Sequence, residues 1–277
     1  IRAGERIVTL ESNLEEQNKK LQEAYSRIRE DLDAAVKMQR GLLPSSALTI
    51  PGFKFDWMFT PCHFVAGDIF NFFQLNEHQA GFYILDVAGH GIPAAMLSVT
   101  LSKILSPISS QGSPLMRFIP NPPHYDIATP AEAVHALNQL FQSEDDAMHY
   151  FTMVYGIVET RSARMLLTQA GHPSPIYQPR GAKAELLGTG GFPVGMFPDV
   201  KYGEQDLTLH QGHVVDVIDT ILVDDRPELT GIGGRHRRLL LLLARQPEHQ
   251  ARGEGRRPGA DLAIERHPIG HVVTDAR

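Results

Sequence analysis

Phe82-Tyr-Ile-Leu-Asp-Val-Ala-Gly-His-Gly-Ile-Pro-Ala-Ala-Met96 is the stretch on which the reading of this chain turns. An apolar run ends on Asp86, Gly89 and Gly91 flank His90, and a helical pattern opens at Ile92. The order reads as strand, tight loop, helix. A carboxylate at a strand end, next to backbone freed by glycine, is well placed to hold a hard cation. Just upstream, Phe64-Val-Ala-Gly-Asp68 closes another apolar segment on an acid. Ile69 to Leu75 and Gly81 to Val87 read as strands, with Asn76-Glu-His-Gln79 as the turn between them. Hairpin register then brings Asp68 and Asp86 to the same end of adjacent antiparallel strands.

Working outward, the N-terminal part reads as one long helix from about Arg6 to Leu43. No Pro or Gly interrupts Glu5 to Arg40. Ile7, Leu10, Leu14, Gln17, Leu21, Ala24 and Ile28 alternate at three and four, and the series then slips to Leu32, Ala35, Gln39 and Leu42. That is a coiled-coil seam with one stutter. The stripe is narrow and the flanks are charged, which favours a parallel two-helix coil, and so a homodimer, over a helix packed on its own domain. Pro44 breaks the helix.

Phe53 to Phe59 alternates as a half-buried strand. Ile92 to Leu105 is a helix, followed by a proline-rich loop read as a mobile flap. Pro130 to Phe141 is a second helix, with Thr129 as N-cap. Phe151 to Val158 and Ala163 to Gln169 form another hairpin, and Ile176 to Gln178 and Ala184 to Leu187 add short strands. The fold class is α+β: a two-sheet core covered by helices.

The length allows one or two domains with a sizeable core. The net charge of -6 argues against a nucleic-acid partner, although the C-terminal third is locally basic. Cys62 is the only cysteine, so no intrachain disulfide can form, which suits a cytoplasmic location. No apolar run approaches membrane-spanning length. The chain begins at Ile1 without a signal-peptide pattern, and is expected to be a fragment of a longer protein.

Val65-Ala-Gly-Asp68 followed by Asp86-Val-Ala-Gly-His-Gly91 resembles the bacterial PPM-type serine/threonine phosphatases. Within them it is most similar to the stage II sporulation protein E branch, which includes the sigma-factor regulatory phosphatases. Gln39-Arg-Gly-Leu-Leu-Pro44, Gln169-Ala-Gly-His-Pro-Ser-Pro175 and Gly191-Phe-Pro-Val-Gly195 agree in order and spacing. The resemblance runs from about Asp33 to Leu209. It implies a β-sandwich between helical layers (αββα). It also implies a hydrolase that removes phosphate from serine or threonine with two Mn²⁺ or Mg²⁺ ions. Asp68 and Asp86 would be the catalytic acids and metal ligands, joined by the Val87 carbonyl. The substrate implied is a phosphorylated anti-sigma-factor antagonist, and the helix would carry a signal from an upstream sensor absent from this chain.

Singly, each residue has a plainer reading. Asp68 suits a turn aspartate capping a nearby N–H. Asp86 suits a cap for the helix at Ile92. Gly67, Gly89 and Gly91 serve as turn glycines in either case. Oxygen ligands dominate sites of this type, so His90 and His172 are read as shaping loops or orienting ligands.

The chain departs from the family at Ala66, usually glycine, and at Asn71, often an acid. The late Asp-Gly pair is missing. Gln211-Gly-His-Val-Val-Asp-Val-Ile-Asp-Thr-Ile-Leu-Val-Asp-Asp225 places Asp219 one residue off, which in a strand turns a side chain to the other face. Asp224 and Asp225 are weaker alternatives for this late metal position. The expected domains are a signalling helix (1–43), a phosphatase domain (44–230) and an irregular basic tail (231–277). The tail reads either as a divergent segment or as translation out of frame, with no replacement strand. The rival functional reading is a catalytically impaired relative that binds a phosphoprotein or serves as a dimeric signalling module.

Overall fold

The computed structural model describes residues 2–45, 48–60, 65–107, 113–142, 150–188, 190–219 and 238–245. The chain divides into Ile1–Pro247 and Glu248–Arg277, and all described residues belong to the first unit.

A helix of 39 residues, α1 (Arg2–Arg40), opens the chain. Leu10, Leu14, Leu21 and Ile28 of its apolar stripe are exposed. Beyond the break in spacing the stripe turns inward: Leu32 and Ala35 are half-buried, Gln39 is buried, and Leu42 packs against the core. The stutter thus marks where the helix stops facing solvent and meets its own domain.

The strands and remaining helices follow in order. They are β1 (Phe53–Thr60), β2 (Ile69–Gln74), β3 (Gln79–Val87), α2 (Ile92–Ile104), β4 (Met116–Phe118), β5 (Tyr125–Ile127), α3 (Pro130–Leu140), β6 (Phe151–Glu159), β7 (Arg164–Ala170), β8 (Ile176–Gln178), β9 (Glu185–Leu186), β10 (Gln205–Thr208), β11 (Val214–Asp219) and β12 (Arg238–Arg245). One sheet runs β1-β12-β11-β8-β9 and the other β10-β7-β6-β3-β2.

Phe53, Phe70, Phe72, Phe82, Ile84, Val154, Leu167, Val215 and Val217 fill the space between the sheets. Phe55 stacks on Phe72 across that gap, with ring centroids 4.5 Å apart. Each such side chain contributes about 1.5–3 kcal/mol by leaving water. The other face of the second sheet carries Tyr83, Leu85, Val87, Phe151, Met153 and Tyr155, which pack under α2 and α3. The fold is a β-sandwich flanked by helices. Thr129 and Glu132 form a capping box that fixes the start of α3.

Two expectations are corrected. The tail is not wholly outside the fold: the leucine-rich block is β12, paired with β1 and β11. β12 lies between β1 and β11 in the first sheet, and its sequence is a continuous apolar run without the alternation that marks a strand in the sequence. The proline-rich segment before α3 is in part a hairpin, β4 with β5, where Arg117 bridges Asp126 and Glu132. Asp224, Asp225 and the tail from 246 onward lie outside the described residues.

Candidate metal centre

Alternation along the strands positions the site. Phe70 and Phe72 on β2, and Phe82 and Ile84 on β3, all face the inter-sheet core. The same period of two carries Asp68 and Asp86 onto the ends of these rows. β2 and β3 pair with Ile69 opposite Leu85, so the next step sets Asp68 opposite Asp86. On β6, Val154 faces the same core, and two residues on Thr152 is the ladder partner of Asp86. One mouth of the sandwich therefore gathers the polar ends of three adjacent apolar rows.

Asp68 is 4% exposed and Asp86 half-buried. Charges at such depth are paired or coordinate metals. The segment before Asp68 lies tight on the end of β3. A Cβ on Gly67 would stand 3.1 Å from the Val87 carbonyl oxygen and 3.3 Å from Ala94 Cβ, so glycine is what this approach admits. Beyond β3 the chain turns at Gly89 (φ 99°) and Gly91 (φ 77°), with His90 exposed between them. Gly91 is the N-cap of α2 and, being glycine, brings no capping side chain of its own.

Gln39 reaches this region from α1. Its Nε2 donates to the Ala66 carbonyl at 2.6 Å and lies 3.2 Å from Ser98 Oγ, and its Oε1 accepts the Ala66 N–H at 3.1 Å. The sequence reading includes Gln39 in its motif without a partner, because the contact joins elements far apart in the chain.

His172 is 2% exposed, and its Nδ1 lies 3.0 Å from Thr152 Oγ1. Thr152 is missed by the sequence reading, although the ladder of β3 with β6 would have named it. Gln169 Nε2 donates to the His172 carbonyl, and Gln169 Oε1 accepts the Gly190 N–H at 2.8 Å.

Asp219 ends β11, paired with Leu239, and only its backbone is described. Val215 and Val217 face the inter-sheet core, and position 219 shares their phase on the strand. The one-residue displacement therefore does not by itself turn that position away from the core. Asp216 has the opposite phase; burial raises its carboxyl from 3.8 to about 6.

Two carboxylates and a backbone carbonyl are hard oxygen donors, fit for Mg²⁺ or Mn²⁺ with water completing the shell. Among the described residues, no three His, Cys, Asp or Glu side chains cluster to hold an ion by themselves.

The profile described as Stage II sporulation protein E (SpoIIE) matches residues 76–252. The chain belongs to this family. The match passes well beyond Leu209, where the sequence reading ends the resemblance, and takes in β11 and β12. The phosphoserine phosphatase RsbP of Bacillus subtilis is 27% identical over 178 residues, 64% of this chain. The chain spans about two fifths of the length of the curated relatives it matches, 41% of RsbP and 36% of protein IcfG of Synechocystis. Among solved structures, the SiaA-PP2C domain of Pseudomonas aeruginosa aligns with a TM-score of 0.59 at 18% identity, over 81% of this chain and 99% of that domain. The RsbU and RsbW domains of a Mycobacterium tuberculosis protein align at 0.55 and 19%, over 74% of this chain and 62% of that one. At these identities the structures speak for the fold.

Proposed function

We propose that this chain is the phosphatase module of a larger signalling protein, removing phosphate from serine or threonine of a regulatory protein. The observation that carries this reading is the β2–β3 register, Ile69 opposite Leu85, whose continuation brings Asp68 and Asp86 together at the mouth of the sandwich near the Val87 carbonyl, in a chain of this family. Asp68, Asp86 and Val87 would hold a divalent cation, Mn²⁺ or Mg²⁺, with Asp219 as a candidate ligand for a second ion. When bound, such an ion lowers the pKa of a coordinated water and neutralises phosphate charge. The residues of this chain orient that chemistry. Gly67 lets the strap before Asp68 lie against Val87, and the turn at Gly89, His90 and Gly91 leaves the end of β3 open. His172 holds Thr152 beside Asp86.

The name of the RsbP relative supports phosphoserine as the group cleaved, and the proposed bearer is a regulatory protein of the anti-sigma-factor-antagonist type. The exposed stripe of α1 supports a parallel homodimer through that helix, relaying the state of an upstream sensor. In this reading residues 1–43 are the signalling helix, and the catalytic domain runs from 44 past 230 to include β12. The cytoplasm is the proposed location; no helix among the described residues is long and apolar enough to cross a membrane.

The test is Mn²⁺-dependent release of phosphate from a phosphorylated anti-sigma-factor antagonist, set beside calorimetric titration with Mn²⁺. Turnover abolished by chelator and restored by Mn²⁺ is expected. A second reading, an impaired relative that binds phosphoprotein, draws on the absence of a three-acid cluster among the described residues. Binding of one ion and of the phosphoprotein without turnover would favour it.

A further inference from the structure

We propose that Thr152 and the buried His172 form a positioning pair for Asp86, setting its carboxylate for cation binding. Thr152 stands directly across the β3–β6 ladder from Asp86, so their side chains project from the same face of the sheet. The hydroxyl of Thr152 is engaged by His172 Nδ1 at 3.0 Å. His172 is itself fixed from behind. Gln169 Nε2 donates to its carbonyl and lies 3.2 Å from Ser174 Oγ. Gly171 turns at φ 68°, bridged to Met153 beside Thr152. A Cβ on Gly171 would stand 2.7 Å from Pro193 N, so the turn that delivers the ring admits only glycine.

Gln169, Gly171 and His172 thereby each have a physical task that ends at Asp86. A hydroxyl held by a buried imidazole is locked in one rotamer, and it restricts the carboxylate opposite it. Groups that orient a ligand from behind typically change metal affinity by about 10–100-fold when removed.

This proposal rests on the metal-centre reading, and its test separates the two. Mn²⁺ affinity is measured by calorimetry on the full chain for wild type, Thr152→Val, Thr152→Ser, His172→Gln and the double variant of Thr152→Val with His172→Gln, with thermal melts confirming folding. Thr152→Val keeps the side-chain shape and loses the hydroxyl; affinity should fall about ten-fold, while Thr152→Ser stays within about two-fold of wild type. His172→Gln should cost much less in the Thr152→Val background than alone, since the pair acts as a unit. Equal affinity of folded Thr152→Val and wild type would overturn the proposal alone. Absence of Mn²⁺ binding by wild type would overturn the metal-centre reading and the proposal with it.

Discussion

The side-chain amide of Gln39 closes on both backbone groups of Ala66, donating to its carbonyl at 2.6 Å and accepting its N–H at 3.1 Å. An amide side chain here stands in for a pairing strand. Gln39 is 4% exposed, and it is the only buried side chain among those described on α1. Ala66 lies two residues before Asp68, and Ser98 of α2 completes the joint. Gln39→Ala would leave the buried Ala66 N–H unmet and its carbonyl with Ser98 Oγ alone, at a cost of about 1–3 kcal/mol. Urea unfolding should show that loss, and Mn²⁺ titration a weaker site. Unchanged values of both would show the contact to be idle.

Asp86→Asn keeps the side-chain shape but removes the anion. Mn²⁺-dependent hydrolysis of a phosphoserine substrate should fall about a thousand-fold, as expected when several kcal/mol of metal stabilisation are lost. Asp68→Asn should behave alike. Circular dichroism should stay as in wild type, since neither side chain fills the core. A folded variant with full activity would remove these residues from the centre.

Leu21 is 55% exposed on α1, in line with Leu10, Leu14 and Ile28. In a coiled-coil dimer that stripe is the seam, and Leu21→Asp would bury a charge there. Sedimentation of the full chain should give a dimer for wild type and a monomer for the variant. A monomeric wild type at high concentration would refute the seam.

The hairpin of β2 with β3 was legible because register follows from two alternating strands and a short turn. The helix of α1 and the slip at Leu32 were legible for the same reason, period. What escaped depends on contacts distant in sequence. Gln39 meets Ala66 by way of tertiary packing, and Thr152 acquires its role only through the β3–β6 ladder. β12 escaped because its apolar run does not alternate and its pairing with β1 joins segments far apart in the sequence.

Asp216 offers the last test. Its Oδ1 is buried and has no hydrogen-bond partner among the described residues, and burial pushes its carboxyl from 3.8 up to about 6. The folded chain therefore holds this proton more tightly than the unfolded chain. Below pH 4 the group is neutral in both states and costs nothing extra. As pH rises from about 4 to 6 the unfolded state ionises first, so stability falls through that window and stays lower at pH 7. The group keeps some contact with water, and screening reduces the effect to on the order of 1 kcal/mol. Asp216→Val removes the titration and suits a strand. The variant should gain stability over wild type at pH 7, and the gain should shrink at pH 4. Carboxylates held low by arginine, Asp126 by Arg117 and Asp206 by Arg164, are shared by both proteins and cancel in the difference. Urea unfolding at the two pH values decides: a gain that is equal at pH 4 and pH 7 would show that Asp216 folds in its charged form.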